Sequence, residues 1–132
     1  MKTNHKLELA VLAGVAIGIA GATGIHARQV KPLPAYVIAE VDVTDPSAFQ
    51  KYAEEVPGTL APFNGHYLVR NGTTKAVEGE APKRFVIIAF DSLEKARGWE
   101  YSQAYETIKK IRRDSAESRV FIVEGVAPRL DD

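Results

Sequence analysis

The sequence predicts an α+β domain of order β-α-β-β-α-β, built on a four-stranded antiparallel sheet. Three observations carry this expectation. Arg84–Gly125 reads as an apolar strand, a helix and a second apolar strand joined with little between them. Ala35–Val43 (AYVIAEVDV) is rich in β-branched residues and is followed at once by a helix-start signal. Between these stretches lies HYLVR, His66–Arg70, a short alternating segment with Asn-Gly on either side.

Each element has its own signal. In Asp45-Pro46, the aspartate can cap free backbone N–H groups and the proline suits the first helical position. Phe49, Tyr52, Ala53 and Val56 then recur at helical spacing, and Pro57-Gly58 is expected to break or kink the helix before Pro62 ends it. After the Asn64-Gly65 turn and His66–Arg70, Asn71-Gly72 predicts a hairpin turn or bulge, with Thr73–Val77 continuing extended. Arg84–Phe90 is apolar on both faces and so predicts a central strand. Asp91 with Glu94 approximates a capping box for a helix that turns Leu93, Ala96, Trp99, Ile108 and Ile111 toward the core, with a break marked by Ser102-Gln103. Arg119–Glu124 predicts the last strand, and residues 127–132 a tail. This order is the split βαβ, or ferredoxin-like, arrangement. A sheet apolar on both faces needs a cover on each, and the face away from the helices is expected to meet a second copy of the chain.

Composition narrows the function classes. With 132 residues there is room for one core, and 45% apolar with 26% charged residues is ordinary for a globular protein. A net charge of +0 gives no sign of the basic face that a nucleic-acid partner requires, and none is expected. The absence of cysteine removes disulfides, thiolate catalysis and cysteine-type zinc sites. His5, His26 and His66 do not cluster, so no metal centre is expected. No glycine-rich turn follows a strand. Ser102, Tyr105 and Lys109 therefore imitate a dehydrogenase set without its nucleotide site, and no cofactor is expected.

The N-terminus points to export. Lys2 and Lys6 precede Leu9–Ile25, an uncharged run that ends near Ala27. Residues 1–27 read either as a cleaved signal peptide or as an uncleaved membrane anchor. Both place the rest of the chain outside the cytoplasm, periplasmic or anchored facing the periplasm, with the membrane touched only through residues 1–27. Residues 28–34 (RQVKPLP) form a Pro-containing linker.

From Ala35 to Val126 the chain resembles the DUF1330 family of the dimeric α/β-barrel superfamily. The likeness rests on an ordered set: AYVIAEVDVTDP, NGHYLVRNG, VEGE, RFVIIAFDSLEKARGW, Ser102 with Tyr105, and RVFIVEG. It implies a homodimer whose two sheets face each other as a barrel. It carries no agreed activity and hence no catalytic residue.

The candidate chemistry follows from alternation. His66, Leu68 and Arg70 are expected on one strand face, Glu40 with Tyr36 and Ile38, and Glu124 with Val120 and Ile122. If all these faces turn toward the dimer partner, His66, Arg70, Glu40 and Glu124 converge among apolar walls. They would then offer one base titrating near neutrality, one fixed cation and orienting carboxylates. The opposing reading pairs Arg70 with a glutamate as a buried ion pair. Trp99 is expected as core or pocket wall. Lys109, Lys110, Arg112 and Arg113 are expected as a solvated helix end, favoured there by the helix dipole. Two functions stay open: a dimeric envelope protein, structural or binding a small organic anion, and a cofactor-independent monooxygenase- or isomerase-like enzyme acting on a small carbonyl or aromatic compound.

Overall fold

Seven main elements follow one another in the computed structural model, which describes residues 30–129. They are β1 (Ala35–Val43), α1 (Pro46–Leu60), β2 (His66–Arg70), β3 (Arg84–Phe90), α2 (Leu93–Glu100), α3 (Gln103–Ser115) and β4 (Ala116–Glu124). The expectation for residues 1–27 lies outside the described residues. The strands form one antiparallel sheet in the order β2-β3-β1-β4. The compact unit that holds them begins at Pro32.

The strand alternation sorts the sheet into two faces. Ala35, Val37 and Val41 of β1 and Ile88 and Phe90 of β3 are buried on the helix side. They meet Phe49, Val56 and Leu60 of α1, Ala96 and Trp99 of α2, and Tyr105 and Ile108 of α3. Burial of each valine, leucine, isoleucine and phenylalanine among them contributes on the order of 1.5–3 kcal/mol. Tyr36, Ile38, Phe85, Ile87, Phe121 and Val123 occupy the other face, where Phe121 and Val123 each stay 42% exposed.

Several local expectations are corrected. Pro57 does not break α1: the helix runs on to Leu60, and Ala61–Phe63 adds a turn of 3-10 helix. Residues 71–83 form no strand, so Thr73–Val77 does not extend the sheet. Ser92, not Asp91, caps α2, its hydroxyl accepting from the Lys95 amide at 3.1 Å. Asp91 instead accepts from Asn64 and from the Lys95 ammonium. The break at Ser102 is as expected, and its hydroxyl caps α3. β4 starts at Ala116 rather than Arg119, because the backbone turns extended directly at the end of α3.

The basic end of α3 is also not solvated as a whole. Lys109 is 2% exposed and Arg112 6%. Lys109 Nζ lies 3.1 Å from Glu100 Oε1 and 2.7 Å from Glu106 Oε1, and it donates to the Glu100 carbonyl at 2.8 Å. The break at Ser102 bends α3 back so that Lys109 reaches the end of α2. A buried ammonium requires such partners.

Candidate functional site: a cationic cavity between sheet and helices

A bulge in β2 decides where the site lies. Pairing runs Tyr67 to Ile88, then jumps to Val69 opposite Ile87 and Arg70 opposite Val86. The extra residue turns both Tyr67 and Arg70 toward the helices, although strict alternation would separate them. His66, opposite Ala89, stays on the outer face. His66 and Arg70 therefore lie on opposite faces, and the expected four-residue cluster does not form. Glu40 is on the outer face, 3.6 Å from Arg119. Glu124 keeps the phase of Val120 and Ile122 but sits at the exposed end of β4, opposite Ala35. Of the five candidates, the fold brings together Arg70 and Trp99.

Those two line a partly enclosed cavity of about 40 Å³ between the sheet and the helices. Its floor is a cross-strand row, Arg70–Val86–Ala39–Val120, running from β2 to β4. Ala39 is the smallest member, and its missing side-chain volume leaves the space open. Val37, Val56 and Ile88 make apolar wall, while Phe49, Tyr52, Trp99 and Tyr105 make aromatic wall. Arg84 and Arg112 also line it, so three guanidinium groups meet one apolar space, and its lining contains no carboxylate. Arginine remains charged throughout, so each of these groups is a fixed cation.

The polar network around the cavity is specific. Arg70 Nη2 donates to the Ala53 carbonyl at 3.2 Å, and its Cζ lies 4.8 Å from the Tyr67 ring centroid. Arg84 Cζ lies 4.8 Å from the Phe49 centroid, and its Nε is buried without a partner. Arg112 donates to the Ser118 hydroxyl, while its own Nε is buried and unpartnered. The hydroxyls of Tyr52 and Tyr105 share a hydrogen bond of 2.8 Å. Burial drives both phenols, and that of Tyr67, above the ordinary range, so all three are neutral hydrogen-bonding groups. Trp99 stacks on Tyr105 with centroids 3.9 Å apart and donates its indole N–H to Thr59 at 3.0 Å.

Reasoning from sequence missed Arg84, Arg112, Tyr52 and Tyr105 as wall residues. Tyr52 carried the helical-core signal, which does not distinguish packing from lining, and Tyr105 drew notice only with Ser102 and Lys109 as an imitation of a dehydrogenase set. Arg84 had a signal that could have been used: it opens an otherwise apolar central strand and shares the phase of Val86 and Ile88.

The arrangement has relatives in fold. A protein of unknown function from Rhodopseudomonas palustris is 14% identical, with a TM-score of 0.60 over 84% of this chain and 94% of that one. SnoaB from Streptomyces nogalater, described as a cofactor-independent oxygenase, is 13% identical, with a TM-score of 0.53 over 76% of this chain and 99% of that one. A dimeric protein of unknown function with a ferredoxin-like fold, from Bacteroides fragilis, is 12% identical, with a TM-score of 0.50 over 73% of this chain and all (100%) of that one. At these identities the likeness is one of fold. No curated protein matches the sequence. The model of a domain of unknown function, DUF1330, matches residues 34–126, and the chain belongs to that family.

Proposed function

We propose that this protein binds a small organic anion in the cavity between its sheet and helices, as a homodimer in the cell envelope. The observation that carries the binding reading is the cavity itself: Arg70, Arg84 and Arg112 line an apolar space free of carboxylates. Positive charge in a low-dielectric pocket favours an anion, and apolar walls favour one with a carbon body.

The outer sheet face supports the homodimer. It carries Ile38, Phe85, Ile87, Phe121 and Val123, and the helices pack on the opposite side. The Bacteroides fragilis protein of similar fold is described as dimeric. The basic, then apolar, run of residues 1–27 supports export.

A second reading, cofactor-independent chemistry on a small carbonyl compound, is favoured by one observation. The hydrogen-bonded hydroxyls of Tyr52 and Tyr105 stand in the wall beside the cations, where the one whose proton is not used in that bond can donate to an enolate oxygen. The description of SnoaB as a cofactor-independent oxygenase is consistent with it.

Calorimetric titration of the full chain with acetate, propanoate, benzoate and sulfate tests the binding reading. Saturable binding of at least one organic anion is expected, together with its loss in Ala39→Leu, which fills the cavity. Absence of binding by all of them would overturn the reading.

A further inference from the structure

We propose that the cavity is selective for short-chain carboxylates and that Arg84 anchors the carboxylate, with Arg112 beside it and Arg70 as a wall residue at the mouth. This rests on the anion-binding reading above and assigns its head group and size.

The three cations are not equivalent. Arg70 is exposed, and one of its nitrogens is engaged by the Ala53 carbonyl. Arg112 bonds Ser118 and also borders a separate surface cleft with Glu100, whose nearby charge offsets part of its own. Like the other two, Arg84 takes part in none of the ion pairs among the described residues, but it alone of the three makes no side-chain hydrogen bond there. Its Nε, like that of Arg112, is buried without a partner, and its guanidinium lies over the Phe49 ring. A partly buried cation lacking both a carboxylate and a full set of acceptors is the strongest anion site in the wall.

Register places its helper. Arg84 pairs with Val41, and Val41 pairs with Ser118, which Arg112 reaches from α3. The two guanidinium groups thus approach the same end of the cavity from opposite sides of Val41, Arg84 from β3 and Arg112 from α3 where it reaches over β4. Arg70, opposite Val86, sits one inner-face row away. A planar fork at that end suits a carboxylate, which it can bind through two parallel hydrogen bonds.

Volume sets the length. About 40 Å³ holds roughly three water-sized groups. The three heavy atoms of a carboxylate fill that enclosed part, and one or two further carbons extend toward its open side among the apolar wall residues. An aromatic ring does not fit without rearrangement, and a tetrahedral inorganic anion leaves the apolar wall unused.

The full chain titrated with acetate, propanoate, hexanoate, benzoate and sulfate tests this, with Arg84→Gln, Arg84→Lys and Arg70→Gln beside the parent. Propanoate or acetate is expected to bind tightest. Arg84→Gln should weaken that binding at least about tenfold, the loss that follows from removing a charged hydrogen-bond partner. Arg84→Lys, which keeps charge and stem, should not restore it, while Arg70→Gln should cost less than Arg84→Gln. Near-ultraviolet dichroism establishes that each variant is folded, and if Arg84→Gln is not, Arg84→Lys decides the anchor. Tightest binding of benzoate or sulfate would overturn the size and head-group assignment while leaving anion binding intact. A larger loss in Arg70→Gln than in the Arg84 variants would overturn the anchor. Failure of every anion to bind would overturn the underlying reading as well.

Discussion

The guanidinium of Arg70 donates to the backbone carbonyl of Ala53 at 3.2 Å, and that carbonyl is the one that Pro57 leaves without its helical partner. In a regular helix the amide of residue 57 would bond the carbonyl of residue 53. Proline has no amide hydrogen, so a side chain from β2 completes the helix instead. The link also ties the mouth of the cavity to α1.

Arg70→Ala is therefore expected to destabilise the fold by only about 1–2 kcal/mol, the scale of one hydrogen bond and one cation–π contact. A buried ion pair broken at Arg70 would instead cost about 3–5 kcal/mol. Arg70 has no carboxylate among its recorded partners, and thermal or urea denaturation of the variant measures the difference.

Lys109→Ala should be the more damaging change. It strands Glu100, whose second carboxylate oxygen is already buried without a partner, and a loss of about 3–5 kcal/mol is expected in chemical denaturation.

Lys109 also sets an acid limit. Its hydrogen bond, then its charge, holds the Glu106 carboxyl below the ordinary value of 4.5. Asp91 is held below 3.8 by hydrogen bonds from Asn64 and then Lys95. A carboxyl lowered on folding adds stability above its unfolded pKa and loses it as pH falls through the folded value. Melting temperature should therefore fall below about pH 4.5, and Lys109→Ala should remove the Glu106 share of that fall. An unchanged acid profile in the variant would contradict this.

The phenols give the opposite, alkaline limit. Burial raises Tyr52, Tyr67 and Tyr105 above the ordinary 10.0, so folding favours their neutral forms. That contribution is complete below pH 10 and is lost as pH rises through the folded values. Ultraviolet titration should show these three ionising later than an ordinary phenol. Tyr52→Phe and Tyr105→Phe would each remove one late-titrating group.

Much of the fold was legible because alternation and helical spacing report burial directly. Arg84–Phe90, apolar on both faces, read as a central strand and Ala35–Val43 as a strand, and Ser102-Gln103 marked the break that separates α2 from α3. The site was less legible. HYLVR alternates cleanly in sequence, and the bulge that turns Arg70 inward arises from pairing with β3. Pro57 reads as a breaker because the residue that rescues its helix lies in another element. Lys109 and Arg112 read as solvated because their partners, Glu100 and Ser118, approach only once the chain turns at Ser102 and Ala116. The N-terminal segment and the dimer lie beyond these contacts. Light scattering on the full chain at twice the monomer mass, with Phe121→Asp shifting it to the monomer, is the expected outcome for the outer face.

The central claim is that the cavity beneath α1 is the binding site, and Trp99 tests it most directly. It is the sole tryptophan of the chain, is 1% exposed and lines the cavity. Titrating propanoate into the full chain while following Trp99 fluorescence should give a saturable change that Ala39→Leu abolishes while the fold is retained. A silent Trp99 in a protein that binds the anion by calorimetry would place the site elsewhere and contradict the account.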